Sequence, residues 1–321
     1  MLTLAVVAIM KSDILLPVLK LDSLASTVHV VTLKEFPKMT ADQLGIAIGK
    51  IDRKADRVDF GQFQGKSAFY PASTVKLFYL AYGAKLLDSG KLKMTEELER
   101  GFKDMIVDST NDATALILDA ITDTTGGPEL APNELKKWTE KRNAVNSWLT
   151  DLGFSGINVN QKTWNEGPYG RERQGYGPKF EYRNSLTPEA GVRMMSLIAM
   201  DKLVSKQRHE WMKGYLSRRI PVDSKEADSQ SQEFVGSALA TGSKLWSKAG
   251  YTSTVRMDIA WTQLQNGNEY VFAIFTKGHS NEPRLIPFVA RKLLGGLGEQ
   301  STVEKLPVKE RTTTLSPAPI S

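Results

Sequence analysis

Ser73 and Lys76 are the first residues whose types and spacing suggest chemistry. They lie in "FYPASTVKLFYLAYGAKLL", residues 69–87, and Lys76 is the only charge in the apolar run Val75–Ala84. A helix that is apolar all round is buried. Burial disfavours an ammonium ion and lowers its pKa, so a lysine there can accept a proton near neutral pH. Ser73 stands three residues earlier, on a neighbouring position of a helical face. Serine is a weak nucleophile that needs such a base. The helix N-terminus adds partial positive charge for a developing anion. The pattern Ser-x-x-Lys arises by chance about once in a chain of this length, so its meaning depends on the rest of the sequence.

Two further stretches supply that context. In "VDSTNDATALIL", Ser109 and Asn111 put a hydroxyl and an amide two residues apart, just before a short apolar helix. Such a pair can relay a proton and hold a carbonyl or an amine, or simply cap the helix. In "WSKAGYTSTVRMDIAW", Lys248 and Gly250 open a strand region. Glycine at a strand edge permits close backbone approach, and the lysine offers charge to a carboxylate.

Ser-x-x-Lys, Ser-x-Asn and Lys-x-Gly in this order resemble the three signature motifs of the serine β-lactamase and penicillin-binding protein superfamily. The stretches "YPASTVKLFYLAYGAKLLDSGKL", "MIVDSTNDATALIL", "NSLTPEAGVRMM" and "KAGYTSTVRMDIAW" are similar to their counterparts in the class A β-lactamases. The resemblance runs from about Leu44 to Leu297. It implies that Ser73 attacks the carbonyl of a β-lactam or D-alanyl peptide and becomes acylated, with Lys76 helping to take its proton. Ser109 then carries a proton to the leaving nitrogen, Asn111 holds the substrate amide, and Lys248 binds the substrate carboxylate. Gly250 belongs to the third motif, the N–H groups of Ser73 and Tyr251 form the oxyanion hole, and Arg256 is similar to a further carboxylate anchor. The resemblance implies no cofactor and no metal, a monomer, and work outside the cytoplasm, in the periplasm or secreted.

Two departures are visible. Ala249 stands where the family has Thr or Ser, which leaves Thr252 or Ser253 to compensate. The Glu-x-x-Leu-Asn segment that activates water in class A enzymes is missing from residues 156–184. Glu166, Glu172 and Glu181 are the candidates for that role, and Glu172 lies nearest the expected distance before Asn184. An ion pair with Arg171 or Arg173 would keep it ionised. Without a glutamate at the acyl carbonyl, Ser73 is acylated but clears slowly.

The elements that must hold these residues follow from periodicity. Leu44, Ile46 and Ile48 alternate as on a strand, and a second strand runs through Phe60 and Phe63. Gly90 suits the C-cap of the Lys76 helix. Asp112–Ile121 reads as a helix, and so does Arg142–Leu152, stopped by Gly153. Thr187 and Pro188 form the N-cap and first position of a helix through Met200. Val255–Gln263 and Glu269–Thr276 flank Asn266-Gly267, a hairpin signal, and Pro287–Leu294 closes with a helix. The implied fold is α/β (α+β): a mainly antiparallel sheet flanked by helices, with an inserted all-helical subdomain. Residues 41–70 and 243–298 contribute the sheet part and 71–242 the helical part. Residues 1–40 stay unassigned, although Leu2–Met10 could be the middle of an export signal. Residues 299–321, rich in Ser, Thr and Pro, read as disordered.

The 321 residues are 41% hydrophobic and 24% charged, with 42 basic against 36 acidic side chains and a net charge of +6. No basic stripe interleaves with aromatics, which leaves a nucleic-acid partner without support. The absence of cysteine removes disulfides, thiolate catalysis and Cys-based zinc sites. His29, His209 and His279 are far apart and form no metal-binding pattern. No apolar run approaches the roughly 18 residues of a membrane span.

Overall fold

A computed structural model describes residues 13–220 and 229–302. The stretch Leu2–Met10 and residues 303–321 of the tail lie outside the described residues. The chain begins with strand β1 (Leu15–Pro17) and helix α1 (Leu19–Glu35), then strands β2 (Leu44–Asp52) and β3 (Arg57–Phe63). A 3-10 turn, Ala72–Val75, leads into α2 (Lys76–Asp88). A helical block follows: α3 (Glu96–Lys103), α4 (Asn111–Thr122), α5 (Pro132–Arg142), α6 (Ala144–Asp151), α7 (Gly170–Gly175), α8 (Pro188–Ala199) and α9 (Lys206–Leu216). The last part holds β4 (Ser217–Arg218), α10 (Ser229–Gln232), β5 (Lys244–Tyr251), β6 (Val255–Gln263), β7 (Glu269–Lys277) and α11 (Leu285–Gly296).

The seven strands form one sheet in the order β1-β3-β2-β7-β6-β5-β4. Every pairing is antiparallel except β1 with β3. The early strands join the late ones where β2 pairs β7, with Ile46 opposite Ile274. The β6–β7 hairpin turns at Gly267, whose φ of 86° suits glycine. Two cores result. One face of the sheet packs against the helical block, through Phe78, Leu80 and Met195 among others. The other face is covered by α1 and α11, through Val28, Ile48 and Leu293.

The expected helix over 142–152 is α6, which runs from Ala144 to Asp151. Asn143 breaks the run with φ −83° and ψ 4°, so Arg142 ends α5 and Ala144 begins α6. The helix beginning at Pro188 has the expected cap, with Thr187 Oγ1 accepting from the Ala190 N–H at 3.1 Å. The N-terminal segment contributes a strand and a helix. Residues 299–302 are tied down, by a bridge between Leu239 and Ser301 and a 2.6 Å hydrogen bond from Thr302 Oγ1 to the Ser237 carbonyl.

Gly61 decides how closely α1 lies on the sheet. A Cβ there would stand 2.3 Å from the Leu21 carbonyl carbon and 2.6 Å from the Asp22 nitrogen, and backbone cannot swing aside. Asp22 accepts the Gln62 N–H at 2.7 Å and fixes the same junction. Gly61→Ala is therefore expected to lower stability by roughly 1–3 kcal/mol, read as a lower urea midpoint with an unchanged slope.

Candidate active site

Lys76 is fully buried. Its Nζ donates to the Ser109 carbonyl at 2.6 Å, to Asn111 Oδ1 at 3.0 Å, to Ser109 Oγ at 3.3 Å and to the Thr110 carbonyl at 3.4 Å. Desolvation pulls its pKa from 10.5 down to about 7. Ser73 precedes it on the 3-10 turn rather than on α2 itself, half-buried and one short turn away. Ser73 Oγ is not among the acceptors of Lys76 in this resting arrangement. Ala72, at φ 45°, sets the entry to the turn in a conformation that costs a non-glycine residue energy.

Ser109 is reached by a π-turn, Asp104–Asp108, and itself takes the left-handed conformation, φ 59° and ψ 34°. That geometry turns both its carbonyl and its hydroxyl towards Lys76. Lys248, fully buried on β5, also donates to Ser109 Oγ, at 2.9 Å. Two nitrogens thus occupy the lone pairs of one hydroxyl, and its proton is left to point elsewhere. Lys248 is further held by Gln230 Oε1 and by the Ala249 carbonyl at 2.8 Å.

Gly250, two residues on, shares the face of Lys248 because strand side chains alternate. A Cβ at Gly250 would stand 2.8 Å from the backbone nitrogens of both Ser73 and Thr74. The close approach this glycine permits is therefore to the turn that carries Ser73. Ala249 packs into the core beneath the sheet. Thr252 Oγ1 is taken up by its own turn, accepting from the N–H of Thr254 at 3.1 Å and of Val255 at 3.3 Å. The Tyr251 ring is exposed. Arg256 lies under it at 5.4 Å, itself buried, donating to Glu233 at 3.1 Å and to the Ser280 carbonyl at 2.9 Å. The structure thus brings Ser73, Lys76, Ser109, Asn111, Lys248 and Gly250 together, and ties the guanidinium of Arg256 to a carboxylate of the protein.

Glu172 is not paired with Arg171 or Arg173. It is buried and meets Arg142 at 2.8 and 3.1 Å and Lys162 at 2.9 Å. Asp119 closes the cluster on the same two cations, at 2.7 Å from Arg142 and 2.6 Å from Lys162. The reason is spatial: α5 delivers Arg142 end-on to α7, which sequence neighbours of Glu172 on the outer face cannot match. Glu166 and Glu181 are exposed, and Glu181 accepts the Lys179 N–H at 2.8 Å. None of the three glutamates hydrogen-bonds to Lys76, Ser109 or Asn111.

The loop residues that do touch the motifs are Trp164 and Asn165, which spacing alone does not reveal. Asn111 Nδ2 donates to Asn165 Oδ1 at 2.9 Å and to the Trp164 carbonyl at 3.3 Å. Asn165 donates in turn to Asp112 at 3.3 Å. The loop is closed at its base by the pairing of Asn158 with Ser185. It is sewn to α2 by Tyr79, whose hydroxyl donates to the Gln161 carbonyl at 2.7 Å. Among the described residues no group of acidic, His or Cys side chains could hold a metal, and no helix is long and apolar enough to cross a membrane.

Fold and site together define a β-lactamase-like serine hydrolase. The model of the β-lactamase enzyme family matches residues 32–295, and the chain belongs to that family. No curated protein matches it in sequence. Among solved structures it is similar to a variant of PBP-A in an acyl-enzyme complex with penicillin G, at 19% identity and TM-score 0.62, over 88% of this chain and 98% of that one. The β-lactamase from Sphaerobacter thermophilus is 17% identical with TM-score 0.62, over 85% and 97%. The TLA-1 extended-spectrum β-lactamase is 17% identical with TM-score 0.60, over 87% and 99%. At these identities the likeness is one of fold.

Two outcomes follow from the charges. The neutral amine of Lys76 grows as pH rises through about 7. Acylation of Ser73 is therefore expected to rise about tenfold per pH unit below that value and to level off above it, measured by stopped flow; a flat profile would exclude Lys76 as the base. Glu172→Gln leaves Arg142 and Lys162 undercompensated and should cost roughly 3–5 kcal/mol in urea unfolding. Deacylation per folded molecule should stay unchanged, whereas full stability with lost deacylation would make Glu172 the water-activating base.

Proposed function

We propose that the chain is a serine hydrolase that is acylated by β-lactams and hydrolyses their amide with low turnover. The observation that carries this reading is the convergence of Lys76 and Lys248 on Ser109 Oγ beside the Ser73 turn. Neutral Lys76 takes the proton of Ser73 as Oγ bonds to the lactam carbonyl carbon. The C–N bond of the ring then breaks, and the nitrogen receives the Ser109 proton, which Lys76 replaces. The amides of Ser73 and Tyr251 are assigned to the oxyanion, each such donor contributing about 3 kcal/mol in comparable enzymes. Lys248 faces the substrate carboxylate.

Slow clearance is supported by what stands at the loop. Asn165, an amide, reaches Asn111, while Glu172 is held by Arg142 and Lys162. An amide cannot take a proton from water at neutral pH. A D-alanyl peptide would acylate the same serine, and it is the second substrate class to compare.

Benzylpenicillin and a chromogenic cephalosporin test the reading together. Expected are a stoichiometric burst, a mass increase of one drug molecule on the peptide containing Ser73, and no adduct in Ser73→Ala. Asn165→Glu should raise steady-state turnover on the order of tenfold, below the ~10²–10⁴ of a well-placed base. Absence of any adduct sinks the acylation reading, and fast burst-free turnover by the native chain sinks slow clearance.

A further inference from the structure

We infer that Gln230 is a positioning residue that aims the Lys248 ammonium at Ser109 Oγ, an inference that rests on the proposed acylation of Ser73. Gln230 lies on α10, in the connection between β4 and β5, and its side chain is buried. Its Oε1 accepts from Lys248 Nζ. Its Nε2 donates to the Ile106 carbonyl at 3.0 Å and to the Val107 carbonyl at 2.7 Å, both on the π-turn that leads to Ser109. One amide thus spans the two halves of the site. It grips the turn that presents the Ser109 hydroxyl and the lysine that donates to it. A flexible four-carbon stem has no preferred aim of its own, and Gln230 Oε1, with the Ser109 hydroxyl and the Ala249 carbonyl, supplies one.

The segment carrying Gln230 makes two further contacts of the same kind. Glu233 holds Arg256 of β6 at 3.1 Å, and the Val235 N–H donates to Asp258 at 3.1 Å. Asp258 sits opposite Ala249 in the β5–β6 register, and burial pushes its pKa up to about 7. Arg218, on β4, donates to the Ser247 carbonyl at 3.0 Å and to the Ile106 carbonyl at 2.9 Å, the same carbonyl that Gln230 takes. The connection after β4 therefore meets the strand floor through polar groups directed at charged residues. Of these, Gln230 is the one seen to touch Lys248.

The test has an arm that needs no substrate. In lysine-13Cε-labelled full-length protein, the Lys248 resonance is assigned by its loss in Lys248→Ala. Gln230→Leu should make that Cε markedly more mobile in relaxation measurements, while Lys76 keeps its order. Gln230→Asn, which retains a buried amide but withdraws Oε1 by one methylene, should do the same and covers the case in which the leucine variant fails to fold. In the second arm, Gln230→Leu should slow acylation by benzylpenicillin roughly tenfold, the equivalent of about 1.4 kcal/mol. In a Lys248→Ala background the same change should have less than about a twofold effect, as expected for one residue acting through the other. Equal losses in both backgrounds, or an unaltered Lys248 order in both variants, overturn the inference. If the native chain takes no adduct, the acylation reading has failed and the mobility of Cε decides the positioning by itself.

Discussion

A buried ammonium is the constraint on which the site depends. Lys76 sits at the start of a helix whose following residues, Leu77 to Ala81, are completely buried. A charge there is tolerated only with acceptors fixed around it. Those acceptors are the Ser109 carbonyl and hydroxyl, the Thr110 carbonyl and Asn111 Oδ1, none of them on α2. To deliver them the chain uses a π-turn and a left-handed serine. Irregular backbone of this kind is stable only when its surroundings over-determine it. Lys248 from the sheet and Arg218 from β4 do so, the first on Ser109 Oγ and the second on the Ile106 carbonyl. The motifs stay together because the helical block and the sheet satisfy each other's polar groups.

The long loop shows electrostatics choosing between two uses of a carboxylate. Glu172, Asp119, Arg142 and Lys162 neutralise one another two against two, and three of the four are buried. The Glu172 carboxylate is taken up by Arg142 and Lys162 and makes no contact with Lys76, Ser109 or Asn111. The same cluster fixes α4, α5, α7 and the loop segment holding Lys162 to each other. It thereby holds Trp164 and Asn165 over Asn111. What reaches the motif is then decided by two residues at the loop's start, while its acidic residue serves as an anchor.

Much of this architecture is legible in the residues, and the limits have physical causes. Ser73, Lys76, Ser109, Asn111 and Lys248 are legible through the order and context of three motifs that resemble those of a known superfamily, since each motif taken alone has an ordinary structural reading. The Thr187-Pro188 cap and the Asn266-Gly267 turn are legible because each encodes its geometry locally. Helix α1 is not, although Leu21, Ala25, Val28, His29 and Thr32 are buried at helical spacing. His29 and Thr32 interrupt the stripe, and their burial is satisfied by the Ala41 carbonyl and by the Val28 carbonyl. The partners of Glu172 are hidden for another reason. Arg142 lies 30 positions away, and adjacent Arg171 and Arg173 are the nearer guess. Asn165 and Gln230 carry no signal of their own, since an amide in a polar loop is common and acquires meaning only through contact.

The third motif shows why a departure in one residue need not disturb the others. Side chains on a strand alternate with a period of two, so Lys248 and Gly250 share the face that meets the helical block, while Ala249 belongs with the core below. Loss of a hydroxyl at Ala249 therefore leaves the Lys248–Ser109 hydrogen bond and the contact of Gly250 with the Ser73 turn intact. What changes is the recognition of an anionic substrate. Arg256 is held by Glu233 and the Ser280 carbonyl, and Thr252 by its own turn. On the proposed function, recognition of a carboxylate would fall chiefly on Lys248, the same side chain that donates to Ser109 Oγ. Binding and proton delivery become coupled through one side chain, because a substrate anion drawn to Lys248 competes with Ser109 Oγ for its protons. In such an arrangement the aim of the lysine matters more than its charge alone, which gives the buried amide of Gln230 its place in the chemistry.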